Sequence, residues 1–421
     1  MISLGTVTIQ AHFMHANFPK SRYLDRATPP HITTLVLIAA LGSVTLSIFL
    51  ASLPEMARYF HVPYALMQLA ITGYLALTGV AHLLLGPISD RFGRRPVMLV
   101  SILLFIAATI GAASASGFEI FMVFRTLQAV IVSGMVLSRT IVRDLVARER
   151  AASMIGYVTM GMSLAPMLAP PFGGYLAEHF GWQSNFHFLA LFGACVFVVC
   201  WFDQGETNRY KTASFKQQLR AYPKLLTSRR FWGYALTAGF TAGTFFAYLG
   251  GAPYVGSEIY GLTSSEIGLY LMLTPIGYLI GNGISGRFSS TLGIYKMIGI
   301  GILIPLLGML GALALTLAGW DHPLAFFLFT ITIGLGNGMT LPNATAGMLD
   351  VHPELAGSAS GLGGALMTVG GAAFSTLSGS LLNTHSGPLP LILCIILAAV
   401  FALLAALYTF QIEKQIERAG A

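Results

Sequence analysis

Runs of about twenty apolar residues recur from one end of this chain to the other, and that feature alone removes most folds from consideration. A helix rising 1.5 Å per residue needs about 20 such residues to cross roughly 30 Å of hydrocarbon. Inside a bilayer no water reaches the backbone, so only helices or a closed barrel satisfy its N–H and C=O groups. A barrel would read as alternating segments of about ten residues, and those are absent. Composition agrees: of 421 residues, 55% are hydrophobic and 9% charged, and the mean hydropathy is +0.74. An ordinary soluble core and surface are excluded, and an all-α integral membrane protein is expected.

The spans read as 33–53, 64–88, 96–114, 118–142, 151–176 and 184–202, then 231–255, 263–288, 294–318, 323–348, 356–382 and 388–410. That is twelve transmembrane helices in two six-helix bundles, 33–202 and 231–410, joined by a polar linker over 203–230. Residues 1–32 carry charges and histidines but no continuous apolar core, so they read as a soluble cytoplasmic tail and not a signal peptide. Residues 411–421 form a second cytoplasmic tail. Cys195, Cys200 and Cys394 sit within apolar runs, where packing explains them and disulfides are not indicated.

A net charge of +7 does not imply nucleic acid here, because the basic residues are scattered through short loops. Of the 23 lysines and arginines, all but Arg58 and Arg125 fall in the tails, the linker and the loops of one side or at the helix ends that flank those loops. That side is expected to be the cytoplasm, with both termini in it.

An internal repeat appears at an offset of 196: Tyr74, Leu75, Leu77 and Thr78 match Tyr270, Leu271, Leu273 and Thr274, and Ile88, Ser89, Arg91 and Phe92 match Ile284, Ser285, Arg287 and Phe288. In that register Gly286 stands opposite Asp90. Parallel halves of this kind bind substrate at their shared interface near the midplane, which points to transport.

The polar stretch between the second and third spans reads GPISDRFGRR, Gly86 to Arg95. Gly86 allows close helix contact, Gly93 permits a turn of positive φ, and Arg91, Arg94 and Arg95 suit an inner membrane interface. Asp90, an acid at the membrane edge, needs a partner such as a helix N-terminus. Arg125 lies mid-span with Gln128 on the same face, and a buried arginine there costs several kcal/mol, about 3 on insertion scales, unless it meets a partner or a wet cavity. No Asp or Glu occupies the middle of a span, and Glu119 lies roughly 9 Å away along the axis. A cavity-facing Arg125 is therefore expected, with structural pairing as the other reading. Pro166, Pro170, Pro171, Gly173 and Gly174 describe a kinked, closely packed fifth helix.

On these residues the chain resembles the major facilitator superfamily. Gly86, Ile88, Asp90, Arg91, Gly93, Arg94 and Arg95 fill its signature for the loop between helices 2 and 3. The resemblance implies that Asp90 contacts the start of helix 11, near Ala356 to Ser360, when the protein opens to the outside. FRTLQ, Phe124 to Gln128, is similar to the second signature, and Gly161 to Gly174 is similar to the antiporter signature of drug:proton exporters. Phe245–Leu262, Leu341–Ala346 and Ala356–Gly361 resemble segments of the bicyclomycin, chloramphenicol and florfenicol resistance subgroup. An aromatic-lined cavity is then implied, with Tyr74, Phe245, Phe246, Tyr248 and Asn343 as lining candidates.

One departure matters. Ser47 stands where the subgroup has a helix 1 acid, the expected proton carrier. That leaves Arg125 as the one deep charge, and His82 as a group able to titrate near neutral pH. The leading expectation is an exporter of small amphipathic compounds or drugs, coupled to protons and working as a monomer in the cytoplasmic (inner) membrane. The alternative is a transporter of an anionic or zwitterionic metabolite or siderophore-like compound held by Arg125, even a uniporter. No cofactor or metal is expected, and no nucleophile–base or metal-ligand cluster suggests an enzyme.

Overall fold

The computed structural model describes residues 21–145, 148–208, 223–320, 322–352 and 355–420, and helices are the regular structure found there. In chain order the long helices are α1 (Ile32–Tyr59), α2 (Leu69–Phe92), α3 (Arg94–Ala113), α4 (Phe118–Val142), α5 (Arg148–Phe180) and α6 (Gln183–Asp203), followed by α7 (Arg229–Tyr254), α8 (Ser264–Leu292), α9 (Ile294–Leu317), α10 (Pro323–Asp350), α11 (Ala356–Leu381) and α12 (Leu389–Gly420). Among the described residues, nine runs are long and apolar enough to cross a membrane. The other long helices, α5, α7 and α11, span 33, 26 and 26 residues. Their glycines, serines, threonines and prolines lower the hydropathy for a physical reason: small residues let these helices meet their neighbours closely. Large apolar side chains on α3, α9 and α12, among them Leu103, Leu104, Leu307 and Leu404, are exposed, as a lipid-facing belt requires.

Several helices are interrupted where the sequence demands it. α1 passes through a 3-10 turn at Leu50–Ser52 before Pro54, α4 through another at Gln128–Ile131, and α7 runs on from Pro253 into a π turn at Val255–Ile259. A capping box of Thr263 and Glu266 starts α8, each side chain accepting from the other's backbone N–H.

The duplication is visible in the caps. α2 ends on Gly93 at φ +100 and α8 on Gly293 at φ +82, and the next helix starts at once in each half. Only glycine holds such a φ without strain. The spacing is 200 here, so the structural counterpart of Asp90 is Ser290, and the Gly286 register is corrected. Arg287 stacks on Phe288 as Arg91 does on Phe92, one helical turn earlier relative to the cap, and this shift produced the offset of 196. Each half also ties its last helix to its first. Asp203 accepts from the N–H groups of Leu24 and His31 at 2.7 and 2.8 Å; Glu413 accepts from Tyr234 at 2.8 Å and from Arg230. The helix α12 thus continues through the stretch expected as a tail, because Glu413 is buried against α7. Of the expected tail 1–32 and linker 203–230, residues 1–20 and 209–222 lie outside the described residues.

The halves meet along α2 with α11 and α5 with α8. Gly79 lies against the Ala365 carbonyl, Gly268 against the Pro170 carbonyl, and Gly174 against that of Ser264. One continuous apolar core includes residues of both halves, such as Phe49, Leu53, Leu249 and Leu391, while a second core around Phe231, Ala344 and Ala402 belongs to the second half alone.

Candidate functional site

Between the halves lies a cavity of about 180 Å³, lined by α1, α2, α4 and α5 on one side and α7, α8 and α11 on the other. Its walls are mostly apolar, and no Lys, Arg, Asp or Glu is among the described lining residues. Four expected lining residues are there: Ser47, Tyr74, Phe245 and Phe246. His82, Pro166 and Pro170 join them. Gly173 and Gly174 are too close to α1 and α8 to carry a side chain, Gly173 meeting the Ile48 carbonyl of its own half and Gly174 the Ser264 carbonyl of the other. The proline–glycine pattern of α5 therefore lets one helix touch both halves beside the cavity.

Arg125 does not face this space. It is fully buried within the first half, its Nε donating to the Ala70 carbonyl at 3.0 Å, Nη1 to Gln128 Oε1 at 2.7 Å and Nη2 to the Thr45 carbonyl at 3.2 Å. The guanidinium lies between the Phe49 and Tyr74 rings, 4.2 and 4.5 Å from their centroids. Carbonyl dipoles and ring faces replace the missing acid, each cation–π contact contributing about 2 kcal/mol when desolvated. Gln128 passes the network on to Thr109 Oγ1 at 2.8 Å. Asn343 likewise binds within its half, to Ser285 Oγ and the Met339 carbonyl, both at 2.8 Å, and Tyr248 is buried in the core. Arg125 thus holds Tyr74, and Tyr74 meets the cavity.

Cross-half contacts close the end of the molecule that carries Arg58. Arg58 pairs with Glu258 at 2.7 Å, Tyr64 donates to the Gly250 carbonyl at 2.7 Å, and Glu178 accepts from the Ser265 N–H at the start of α8 at 3.0 Å. Ser265, facing it with hydroxyl and N–H, holds the Glu178 carboxyl below the usual carboxylate range. Nearest the cavity, Gln68 donates to the Ser375 carbonyl at 2.7 Å in a slot bounded by Gly250 and Gly379. Sequence reasoning missed Gln68; a polar residue at the head of an apolar run was the only signal, since its partners lie some three hundred residues away.

At the other end Asp90 pairs with Arg94 in its own turn. Glu206, just after α6, accepts from the N–H groups of Arg94 and Arg95 at 2.9 and 3.2 Å and so caps α3. Arg95 donates to the Gln204 and Trp201 carbonyls and stacks over the Trp201 ring, and Asn208 donates to the Asp90 carbonyl at 2.8 Å. Arg91 stacks on Phe92, and Gly86 lies within α2. The start of the linker is thereby fastened to the GPISDRFGRR turn.

Comparison with known proteins bears on this architecture directly. The family model described as Major Facilitator Superfamily matches residues 35–375 and 257–421. Multidrug resistance protein D of Escherichia coli (strain K12) is 30% identical over 371 residues, 85% of this chain and 91% of that protein. The chloramphenicol resistance protein of Pseudomonas aeruginosa is 29% identical over 391 residues, 90% of each. The crystal structure of a D-xylose-proton symporter matches with a TM-score of 0.70 at 15% identity, over 90% of this chain and 96% of that one. The likeness to drug-resistance transporters read from the motifs thus extends over most of the chain. A duplicated helical architecture, a cavity at the junction of the halves and a family match over nearly the whole length lead to one conclusion: the chain belongs to the Major Facilitator Superfamily and is a multi-pass membrane transporter.

Proposed function

We propose that this transporter exports small amphipathic compounds, drugs among them, from the cytoplasm by alternating access. The observation that carries the reading is the mostly apolar cavity shared by both halves, with no Lys, Arg, Asp or Glu among its described lining residues. Relatives named for multidrug and chloramphenicol resistance support it. The Asp90 end and both termini face the cytoplasm, following the basic loops, so the closed Arg58 end faces outward. Rocking of the halves would separate Gln68 from Ser375 and Arg58 from Glu258, and would free Asp90 from Arg94 to meet the start of α11.

Export is coupled to the proton gradient through His82, which lines the cavity and stands in for the acid that Ser47 replaces. The competing reading, uniport of an anionic or zwitterionic compound bound by Arg125, gains from Ser47 but loses from the enclosure of Arg125. Everted membrane vesicles separate the two. Uptake of chloramphenicol that rises with an imposed pH gradient and falls in His82→Gln supports coupled export; uptake of anions alone, indifferent to the gradient, would refute it.

A further inference from the structure

The described lining hydroxyls that lack a hydrogen-bond partner lie on one side of the cavity only. Tyr74 and Thr78 lie one turn apart on the same face of α2, both line the cavity, and both hydroxyl oxygens are buried without a hydrogen-bond partner. Two other lining hydroxyls are bonded within their own helices: Ser47 donates to the Ser43 carbonyl at 2.9 Å and Thr368 to that of Gly364 at 2.8 Å. Across the cavity the second half offers Phe245, Phe246, Leu249, Leu271 and Pro275, and beside them only the Thr368 hydroxyl, already bonded to its own helix.

A buried hydroxyl without a partner is costly, and it is relieved when a ligand supplies one. The position of Tyr74 is set in advance, because its ring is held against the Arg125 guanidinium. That guanidinium is committed to Ala70, Gln128 and Thr45. A cationic ligand group would meet no carboxylate among the described lining residues and an anionic one no group but His82, whereas an uncharged oxygen could accept from both hydroxyls.

We infer that Tyr74 and Thr78 form a specificity site for an uncharged hydrogen-bonding group, a ketone, amide or hydroxyl, carried on an otherwise apolar compound. The second half takes the apolar body. This inference rests on the reading of the cavity as the substrate site, and it adds to that reading the residues that choose among substrates.

The test uses the full chain in lipid nanodiscs and a fluorescent ketone, 6-propionyl-2-dimethylaminonaphthalene, whose emission moves to the red when its carbonyl accepts a hydrogen bond. The 6-propyl analogue, which lacks the oxygen, is the control. Tyr74→Phe keeps the ring and its stack on Arg125; Thr78→Val keeps the shape. Each substitution is expected to weaken ketone binding about 3- to 10-fold and to shift bound emission to the blue, while the propyl analogue binds all variants equally. Equal ketone affinity in wild type and Tyr74→Phe/Thr78→Val, or no saturable ketone binding, would overturn the inference. Vesicle transport of the same ketone keeps the two claims apart. Hydroxyl-dependent binding without transport would refute export and leave the site; transport indifferent to Tyr74→Phe would refute the site and leave export.

Discussion

The side-chain amide of Gln68 donates to the backbone carbonyl of Ser375 at 2.7 Å, joining the head of α2 to α11 across the boundary between the halves. The amide fits because Gly250 and Gly379 have no side chain; a methyl group on Gly379 would occupy the position of the Gln68 amide. From Gln68 to Tyr74 is roughly 9 Å along the helix, so this contact is the floor between the cavity and the Arg58 end. Gly379→Ala is expected to favour the state open at that end, lengthening by several ångströms a spin-label distance between His61 and Trp320. Gln68→Ala loses about one hydrogen bond, shifting the balance about fivefold in the same direction. Unchanged distances in both variants would mean that Gln68 seals nothing.

Glu178 gives the closed end a pH dependence. Its carboxyl titrates below the ordinary range while it faces Ser265, so it stabilises closure when ionised. That contribution is complete above the ordinary glutamate value of about 4.3 and is lost as pH falls through the lowered value. Opening of the Arg58 end should therefore increase on acidification below about pH 4.3, and Glu178→Gln should remove that response. The same spin-label pair reads it.

Arg125 is a structural centre of the first half. Arg125→Met removes three hydrogen bonds and two ring contacts, for a loss of about 2–5 kcal/mol. It should lower the melting temperature of the purified protein and reduce transport of neutral and anionic compounds alike. A selective loss of anion transport at unchanged melting temperature would restore Arg125 to the substrate site.

The bundle was legible in the sequence because a bilayer leaves the backbone little choice, and the basic loops and glycine caps mark where helices end. The cavity was half legible. Tyr74, Phe245, Phe246 and Ser47 were found from types and family positions, but Arg125 was expected in the wrong setting. An arginine without an acid can be stabilised by carbonyls and aromatic faces, and neither leaves a charge pattern along the chain. Gln68, Thr78 and Glu206 were missed because their meaning depends on partners, or on a missing partner, that only the folded chain defines.

The Gly86–Arg95 turn carries a separate prediction. Asp90→Asn keeps the size of the side chain and removes the charge opposite Arg94, so insertion should be normal while transport falls about tenfold, the effect of losing roughly 1.4 kcal/mol from a switching contact. Glu206→Ala uncaps α3 and should cost about 1 kcal/mol of stability. Full transport by Asp90→Asn would reduce the motif to a topology signal.

The central claim is that the closed Arg58 end must open once in every export cycle. Cysteines replacing Arg58 and Glu258, in a chain whose Cys195, Cys200 and Cys394 are changed to serine, can be joined by a short, reducible bis-thiosulfonate linker. Chloramphenicol uptake into everted vesicles, measured before linking, after linking and after reduction, reads the claim. The account predicts that uptake stops on linking and returns on reduction. Uptake that continues at its original rate with the two residues joined would contradict it.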